Sequence, residues 1–183
     1  PVSLPPDGRY LIVGGAGAAG TAVARDLARR GRPHLVLAGR SEAPAALLDE
    51  LRALGAAVEY RRADVSVEAD VVALVAGHEF DVVVHAAGVV RPGSLRSGTP
   101  AEIAAELAAK VRGTRLLAEA LREQDPLVVA LSSVSSVLPG LAGALGAYVA
   151  GNAHLDAFAA AERAAGRRFV AVNLPMLTGG GLA

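Results

Sequence analysis

The stretch YLIVGGAGAAG at residues 10–20 joins a short apolar run to a glycine-rich segment. Tyr10–Val13 is predicted to form a buried strand, and a helix is predicted to begin near Ala18. The spacing Gly15-x-Gly17-x-x-Gly20 fits a dinucleotide-binding turn, where the glycines permit a tight turn, a nearby pyrophosphate and close helix packing. Glycines between a strand and a helix can also form a simple turn, so the motif needs support from the rest of the chain.

Length and composition exclude several classes of protein. The chain has 183 residues, enough for one buried core, and its 52% hydrophobic content with only 3% aromatics predicts a core of Ala, Val and Leu. A net charge of zero argues against a nucleic-acid or anionic-membrane surface. No apolar run is long enough to span a membrane, and the first residues do not form a signal peptide. The chain has no cysteine, so thiolate metal sites are impossible, and we expect no metal site.

The first nine residues contain three prolines and are predicted to be a linker. The chain also begins without Met, so we expect it to be a piece of a longer polypeptide. The domain proper is predicted to span residues 10–183.

Apolar runs and helical segments alternate along the rest of the chain. Five further strands are predicted, at His34–Ala38, Val58–Arg61, Asp81–Ala86, Leu127–Leu131 and Phe169–Leu174. Helices are predicted at about residues 18–30, 44–54, 67–76, 100–122 and 148–165. This alternation predicts an α/β fold, a doubly wound parallel sheet of Rossmann type with right-handed crossovers and strand order 3-2-1-4-5-6.

Polar and glycine residues follow the predicted strands at the edge where such sheets bind ligands. Arg40 stands where an NAD-binding fold usually has an acidic residue for the ribose 2′-hydroxyl, so NADPH is favoured over NADH. A solvated arginine on a surface turn is the alternative. Asp64 could accept from an adenine amino group, with Val65 packed on the ring, or it could cap the following helix.

At this point the motifs resemble those of one family. The segments that carry the resemblance are Gly14–Gly20, Gly39-Arg40, Ala63-Asp64-Val65, His85–Val89, Lys110–Thr114, Ser132-Ser133 and Tyr148-x-x-x-Asn152-Ala153. In this order they resemble the catalytic half of the ketoreductase domain of modular polyketide synthases, a branch of the short-chain dehydrogenases/reductases. The resemblance runs from about Gly8 to Leu174.

The positions of one lysine and one asparagine make the resemblance specific. Ordinary short-chain dehydrogenases carry lysine four residues after the tyrosine and asparagine on the preceding long helix, whereas polyketide ketoreductases exchange the two. This chain has Asn152 four residues after Tyr148, and its single lysine is Lys110 on the long helix. Tyr148 and Asn152 lie one helical turn apart and therefore share a face.

The resemblance implies roles for these residues. Tyr148 would donate a proton to the developing alkoxide, and Lys110 with the oxidised nicotinamide would lower its pKa from the ordinary phenol value of about 10. Ser133 would hydrogen-bond the ketone oxygen, and Asn152 would orient Lys110 or a relay water. Register favours Ser133 because it follows the strand, although the distance along the chain to Tyr148 favours Ser135. The implied cofactor-binding residues are Gly14, Gly15, Ala16, Gly17, Ala18, Ala19, Gly20, Gly39, Arg40, Ser41, Asp64, Val65, Ala86, Ala87 and Gly88.

The implied function is NADPH-dependent reduction of a β-ketoacyl thioester on an acyl carrier protein, within a cytoplasmic bacterial polyketide or fatty acid synthase. Other synthase domains, including a structural ketoreductase subdomain, would be partners. The sequence stops before the lid helices and last strand that the family usually has. The alternative is a catalytically silent structural remnant or a nucleotide-binding Rossmann domain, although such remnants typically lose the tyrosine, lysine or glycine loop. His85 and His154 are expected to be packed rather than catalytic.

Overall fold

The computed structural model describes residues 4–90, 95, 98–138 and 145–175, which form one parallel sheet with flanking helices. The strands are β1 Arg9–Val13, β2 His34–Gly39, β3 Ala57–Arg62, β4 Val82–His85, β5 Leu127–Ser133 and β6 Phe169–Leu174. The helices are α1 Ala18–Arg30, α2 Ala45–Ala53, α3 Glu68–Val75, α4 Pro100–Ala108, α5 Thr114–Ala120 and α6 Gly146–Ala164. A π-helical turn at Ala109–Gly113 joins α4 to α5, and a 3₁₀ turn at Val134–Ser136 follows β5.

The strand order is β3-β2-β1-β4-β5-β6, which confirms the predicted doubly wound Rossmann-type sheet. All five strand pairs are parallel. At the centre, Val13 of β1 is in register with Ala38 of β2 and His85 of β4. The order reverses between β1 and β4, so the loops that follow these two strands diverge and leave a crevice between them.

The first strand at the centre of the sheet is buried on both faces, and its successive side chains enter different cores. Leu11 and Val13 of β1 belong to a core with side chains of α3, α5 and α6. Tyr10 and Ile12 belong to a second core with side chains of α1 and α2. None of the helices in the described segments is long and apolar enough to cross a membrane.

Two element boundaries differ from the predictions in ways that affect the site. Strand β5 runs through Ser132 and Ser133, two residues past the predicted end at Leu131, because both serines pair with β6. The helix after Thr99 begins with the predicted capping box, in which the Thr99 hydroxyl and Glu102 bond reciprocally. That helix is interrupted by the π-turn, which the sequence pattern does not reveal.

The segment before β1 packs on the domain from residue 4 onward. Tyr10 donates its hydroxyl to the Pro5 carbonyl, and the Asp7 carboxylate accepts from the Arg32 backbone N–H at 2.9 Å. Gly31, predicted as the stop of α1, has an extended backbone with φ −169°. Glycine is required there for close approach, since a Cβ would lie 2.1 Å from the Pro6 carbonyl oxygen. The boundary between linker and domain remains a prediction.

Leu117 of α5 tests how strongly the first core stabilises the domain. Its side chain is only 1% exposed, so Leu117→Ala should lower the free energy of unfolding by about 2–5 kcal/mol. Val72→Ala on α3, where the side chain is 56% exposed, should change it by less than about 0.5 kcal/mol. Urea unfolding curves of the two variants measure both values, and equal losses would contradict this assignment of the core.

Candidate functional site

In the loop between β1 and α1, neighbouring atoms lie too close to three glycines to leave room for a side chain. Gly14 has a φ of +81°, a left-handed conformation that favours glycine, and a Cβ there would lie 2.7 Å from the Ala87 nitrogen. A Cβ on Gly20 would lie 2.3 Å from the Gly14 carbonyl oxygen, and one on Gly15 would lie 2.8 Å from the Leu37 Cβ. The glycines therefore hold β1, β2, β4 and α1 together at one point.

The first backbone N–H groups of α1 have no side-chain cap. Gly17 is the N-cap and provides no side chain to accept from the first N–H groups, and the first turn has no acidic residue. The N–H groups of Ala18 and Ala19 lie in this first turn, where a helix has no internal partners for them. The Ala19 side chain lines an apolar groove beside Val23 and Leu27, so its backbone is the part that can contact a ligand. This helix start can bind an anion.

A cleft of about 260 Å³ lies at the crevice beside β1. Eleven of the fifteen predicted cofactor-binding residues line it: Gly14, Ala16, Gly17, Gly39, Arg40, Ser41, Asp64, Val65, Ala86, Ala87 and Gly88. The other four, Gly15, Ala18, Ala19 and Gly20, do not line the cleft. Gly15 and Gly20 are packing positions of the loop, and the two alanines lie in the first turn of α1. Eight further residues that were not predicted as cofactor-binding also line the cleft: Val13, Tyr60, Ala63, Ser66, Val89, Ala105, Ala108 and Ala109.

One end of the cleft carries an exposed guanidinium. Arg40 follows β2, and its side chain makes no ion pair within the described residues. Its backbone carbonyl accepts from the Arg62 Nε at 3.1 Å, and the neighbouring Ser41 carbonyl accepts from the Tyr60 hydroxyl at 3.0 Å. The backbone is held in place while the charge stays available to a ligand.

Asp64 uses one carboxylate oxygen to hold a turn ahead of α3. Its Oδ1 accepts from the Ser66 N–H at 2.9 Å and from the Ser66 hydroxyl at 2.7 Å. Burial raises the pKa of this carboxyl, but the bonds from Ser66 and the charge of Arg40 outweigh burial and lower it overall. The N-cap of α3 is Val67, so Asp64 holds the preceding turn rather than capping the helix. Val65 is buried, and its methyl group would lie 2.8 Å from a Cβ on Gly113.

Lys110 lies in the π-turn, a kind of helix irregularity that often marks functional sites. Two side chains bond the backbone there. The Thr114 hydroxyl donates to the Lys110 carbonyl at 2.6 Å, and the His85 Nε2 lies 3.1 Å from the Ala109 carbonyl oxygen. The π-turn thus has its own supports on α5 and β4, which fix the direction of the Lys110 side chain.

The Lys110 ammonium is buried, with 6% of the residue exposed. Its Nζ donates to the Leu131 carbonyl at 3.2 Å and lies 5.9 Å from the centre of the Tyr148 ring. The aliphatic part of the Lys110 side chain lies close to two glycines. A Cβ on Gly88 would lie 2.8 Å from Lys110 Cε, and a Cβ on Gly151 would lie 3.1 Å from Lys110 Cδ. Burial lowers the pKa of Lys110 to about 8, and the charge of Asp156 opposes that shift.

Tyr148 and Asn152 lie one turn apart on α6, as predicted. Asn152 is fully buried, and its Nδ2 donates to the Tyr148 carbonyl at 2.9 Å. Its Oδ1 is also buried and has no hydrogen-bond partner among the described residues. Asn152 makes no direct hydrogen bond to Lys110 among these residues. Of the two expected roles, orienting Lys110 or holding a relay water, the unused acceptor fits the second.

Ser133 and Ser135, the two candidate serines, contact each other at the end of β5. The Ser133 Oγ accepts from the Ser135 N–H at 3.2 Å and lies 3.0 Å from the Ser135 Oγ. Each hydroxyl has one hydrogen, which can turn toward the other oxygen or toward a third group. Both serines are buried. The choice of Ser133 over Ser135 therefore stays a prediction.

Several neighbours of the site were not predicted as site residues. Asp156 lies four residues beyond Asn152 on α6, and the same spacing that relates Tyr148 to Asn152 would have revealed it. Asn173 of β6 contacts the Asp156 carboxylate at 3.0 and 3.1 Å, which no sequence signal indicates. His85 is fully buried and packed, and burial together with the charge of Lys110 lowers its pKa to about 4. Within the described segments, no three His, Asp or Glu side chains are clustered as metal ligands.

Burial of Lys110 should make stability depend on pH. Because its folded pKa of about 8 lies below its unfolded value, the unfolded chain binds more protons between about pH 8 and pH 10.5. The cost of burying the charge is therefore fully present below pH 8 and disappears as the pH rises to 10.5. Lys110→Met should gain stability relative to wild type at pH 7, with the difference shrinking by about 2–4 kcal/mol by pH 10.5.

Urea unfolding of both proteins at pH 7, 8, 9 and 10.5 measures this difference. A difference that stays constant over the series would contradict the burial of a charged Lys110.

Comparisons with known proteins identify the family. The model of the KR domain family matches residues 8–179. Polyketide synthase GfsB from Streptomyces halstedii is 45% identical over 185 residues, which cover 96% of this chain and 3% of that protein. The chain thus spans only a small part of the curated relatives it matches.

Solved structures share the fold. The first ketoreductase of the tylosin polyketide synthase superposes with a TM-score of 0.90 at 36% identity, over 99% of this chain and 41% of that one. A short-chain dehydrogenase/reductase from Burkholderia phymatum, in complex with NAD, superposes with a TM-score of 0.79 at 27% identity, over 94% of this chain and 66% of that one. Nicotinamide cofactors are thus bound on this fold. The chain belongs to the KR domain family, the ketoreductases of polyketide synthases, within the short-chain dehydrogenase/reductase fold.

Proposed function

We propose that this chain reduces the β-keto group of an acyl thioester carried on an acyl carrier protein, with NADPH as the reductant. The observation that carries the proposal is the position of the buried Lys110 ammonium, 5.9 Å from the centre of the Tyr148 ring. A buried cation beside a phenol would stabilise the phenolate that remains when the tyrosine gives up its proton.

The cleft fits the phosphate-containing part of a dinucleotide. Its floor is glycine backbone that a Cβ would fill, and the start of α1 supplies N–H groups without side-chain caps. In this proposal the Arg40 guanidinium at the edge of the cleft binds a 2′-phosphate, the group that distinguishes NADPH from NADH. Asp64 retains its Oδ2 for an adenine amino group, since both bonds from Ser66 go to Oδ1.

In the proposed reaction the protein holds the ketone and supplies one proton. Reduced nicotinamide bound beside the cleft would supply the hydride that bonds to the carbonyl carbon. The Ser133 hydroxyl and the Tyr148 hydroxyl donate to the ketone oxygen and stabilise its growing negative charge. Tyr148 then transfers its proton to that oxygen, and Lys110 stabilises the resulting phenolate until Tyr148 is protonated again through the relay at Asn152.

The proposed setting is a multidomain, cytoplasmic polyketide synthase. Relatives such as GfsB are polyketide synthases of which this chain matches a small part. The partners are accordingly an acyl carrier protein that presents the β-ketoacyl thioester, the remaining synthase domains and a structural ketoreductase subdomain.

Arg40 should determine the choice between NADPH and NADH. Arg40→Ala removes the charge proposed to bind the 2′-phosphate, and a charge-assisted bond is worth about 1.5–3 kcal/mol. The Kd for NADPH should rise by about 10- to 100-fold, while the Kd for NADH should change by less than about twofold. Titration of cofactor fluorescence measures both constants. Arg52→Ala, an exposed ion-paired arginine of α2, is the control and should change neither; a parallel loss for both cofactors would contradict the role of Arg40.

Tyr148 should be essential for reduction and dispensable for cofactor binding. In the full-length polypeptide, Tyr148→Phe should lower kcat for a β-ketoacyl thioester by at least about 100-fold with the Kd of NADPH unchanged. Tyr10→Phe, whose hydroxyl bonds Pro5 away from the site, should keep its activity within about twofold. Consumption of NADPH absorbance is the measurement.

The remnant hypothesis makes the opposite prediction for the wild-type protein. If the full-length polypeptide binds NADPH but reduces no β-ketoacyl thioester, the chain is a catalytically silent nucleotide-binding domain.

A further inference from the structure

A group of polar side chains lies directly behind Ser133, where the ends of β5 and β6 meet α6. We refer to Ser132, Ser133, Ser136, Asp156 and Asn173 as the β5 cluster. The cluster joins three elements that lie apart in sequence, and the reduction proposed above uses only one of its members.

Asp156 is the charged member of the cluster. The Ser136 hydroxyl donates to its Oδ2 at 2.5 Å, and the Asn173 Nδ2 lies 3.0 and 3.1 Å from its two carboxylate oxygens. The short 3₁₀ turn that carries Ser136 begins immediately after Ser133. Through Ser136, Asp156 therefore anchors the 3₁₀ turn that follows the candidate catalytic serine.

Asn173 links this carboxylate to the serine strand. Its Nδ2 lies 3.2 Å from the Ser133 carbonyl oxygen, 3.3 Å from the Ser132 Oγ and 3.1 Å from the Ser136 Oγ. An amide has only two hydrogens, so these acceptors and the carboxylate share them. The Ser136 hydroxyl also lies 2.7 Å from the Ser133 carbonyl. The end of β5 is thus held from α6 and β6 together.

Asp156 also acts on Lys110 through its charge. It follows Tyr148 and Asn152 at successive intervals of four residues, so all three lie on one face of α6. Burial lowers the pKa of Lys110, and Asp156 is the charge that raises it again. Among the residues that the structure describes, the other titratable groups that face the ammonium are His85 from β4, whose pKa Lys110 lowers, and the Tyr148 ring from α6.

We propose that Asp156 is a positioning residue of this reduction, which aligns Ser133 through Ser136 and Asn173 and serves as counter-charge to the Lys110 ammonium. This role rests on the proposed function. A merely structural tie between α6 and the sheet would affect stability alone, whereas the proposed role also affects turnover and its dependence on pH.

Asp156→Asn removes the charge and keeps one of the two acceptor oxygens, which can still accept from Ser136. In the full-length polypeptide, with NADPH and a β-ketoacyl thioester, kcat should fall about tenfold while KM changes less than about twofold. In wild type, kcat should decline above about pH 8 as Lys110 loses its proton. In Asp156→Asn this decline should begin at lower pH, because the charge that favours the ammonium is gone.

Two further variants and a control complete the test. Ser136→Ala and Asp156→Glu keep the charge but disturb the alignment, so kcat should fall several-fold with the midpoint of the alkaline decline unmoved. They also test the proposal if Asp156→Asn does not fold. Asp49→Asn removes an exposed carboxylate of α2, 76% exposed, and should behave as wild type.

The possible outcomes distinguish a failure of the Asp156 role from a failure of the proposed reduction. A wild-type polypeptide that binds NADPH without reducing the thioester overturns both. A wild-type polypeptide that reduces it, with Asp156→Asn showing unchanged kcat and an unmoved alkaline decline, overturns the role of Asp156 alone. If Asp156→Asn does not fold, unchanged kcat in Ser136→Ala and Asp156→Glu overturns the alignment role.

Discussion

A buried ammonium group constrains most of the candidate site. Lys110 is nearly inaccessible to water, and a charge in that position needs compensation that a protein interior rarely supplies. The chain provides a backbone carbonyl at the end of β5, an aromatic ring on α6 and a carboxylate one turn beyond Asn152. The carbonyl lies on β5 and the other two groups lie on α6, so the position of one side chain requires β5, α6 and the π-turn to be correctly assembled.

The same constraint explains two glycines outside the phosphate loop. Gly88 follows β4 and Gly151 lies within α6, where glycine is unfavourable for helix stability. At both positions a Cβ would press on the Lys110 stem. The Lys110 stem lies against both glycines, and this packing links the end of the cleft at Gly88 to the face of α6 that carries Tyr148 and Asn152.

Most of the fold and much of the site follow from local sequence patterns. The alternation of apolar runs and helical segments predicted a doubly wound parallel sheet, and the strand order followed from assigning that sheet to the Rossmann type. The glycine spacing placed the cleft, and the lone lysine with the Tyr148–Asn152 pair indicated the family that the comparisons confirm. The extension of β5 through Ser133, the packing of residues 4–8 and the π-turn were not predicted. Each depends on pairing or packing with residues far along the chain.

The sequence by itself determined which residue types are available and on which element each one lies. It assigned Tyr148 and Asn152 to one helical face, since that spacing is a consequence of local periodicity. It also placed Ser133 directly after a strand, whereas the strand runs through Ser133 in the structure. Only the tertiary structure decided that Ser133 pairs with Leu174 of β6 and so belongs to β5. It likewise decided that Asp156 and Asn173 meet behind that serine. Strand pairing, hydrogen bonds and charge pairing between α6, β5 and β6 depend on distances of a few ångströms, which no one-dimensional pattern encodes.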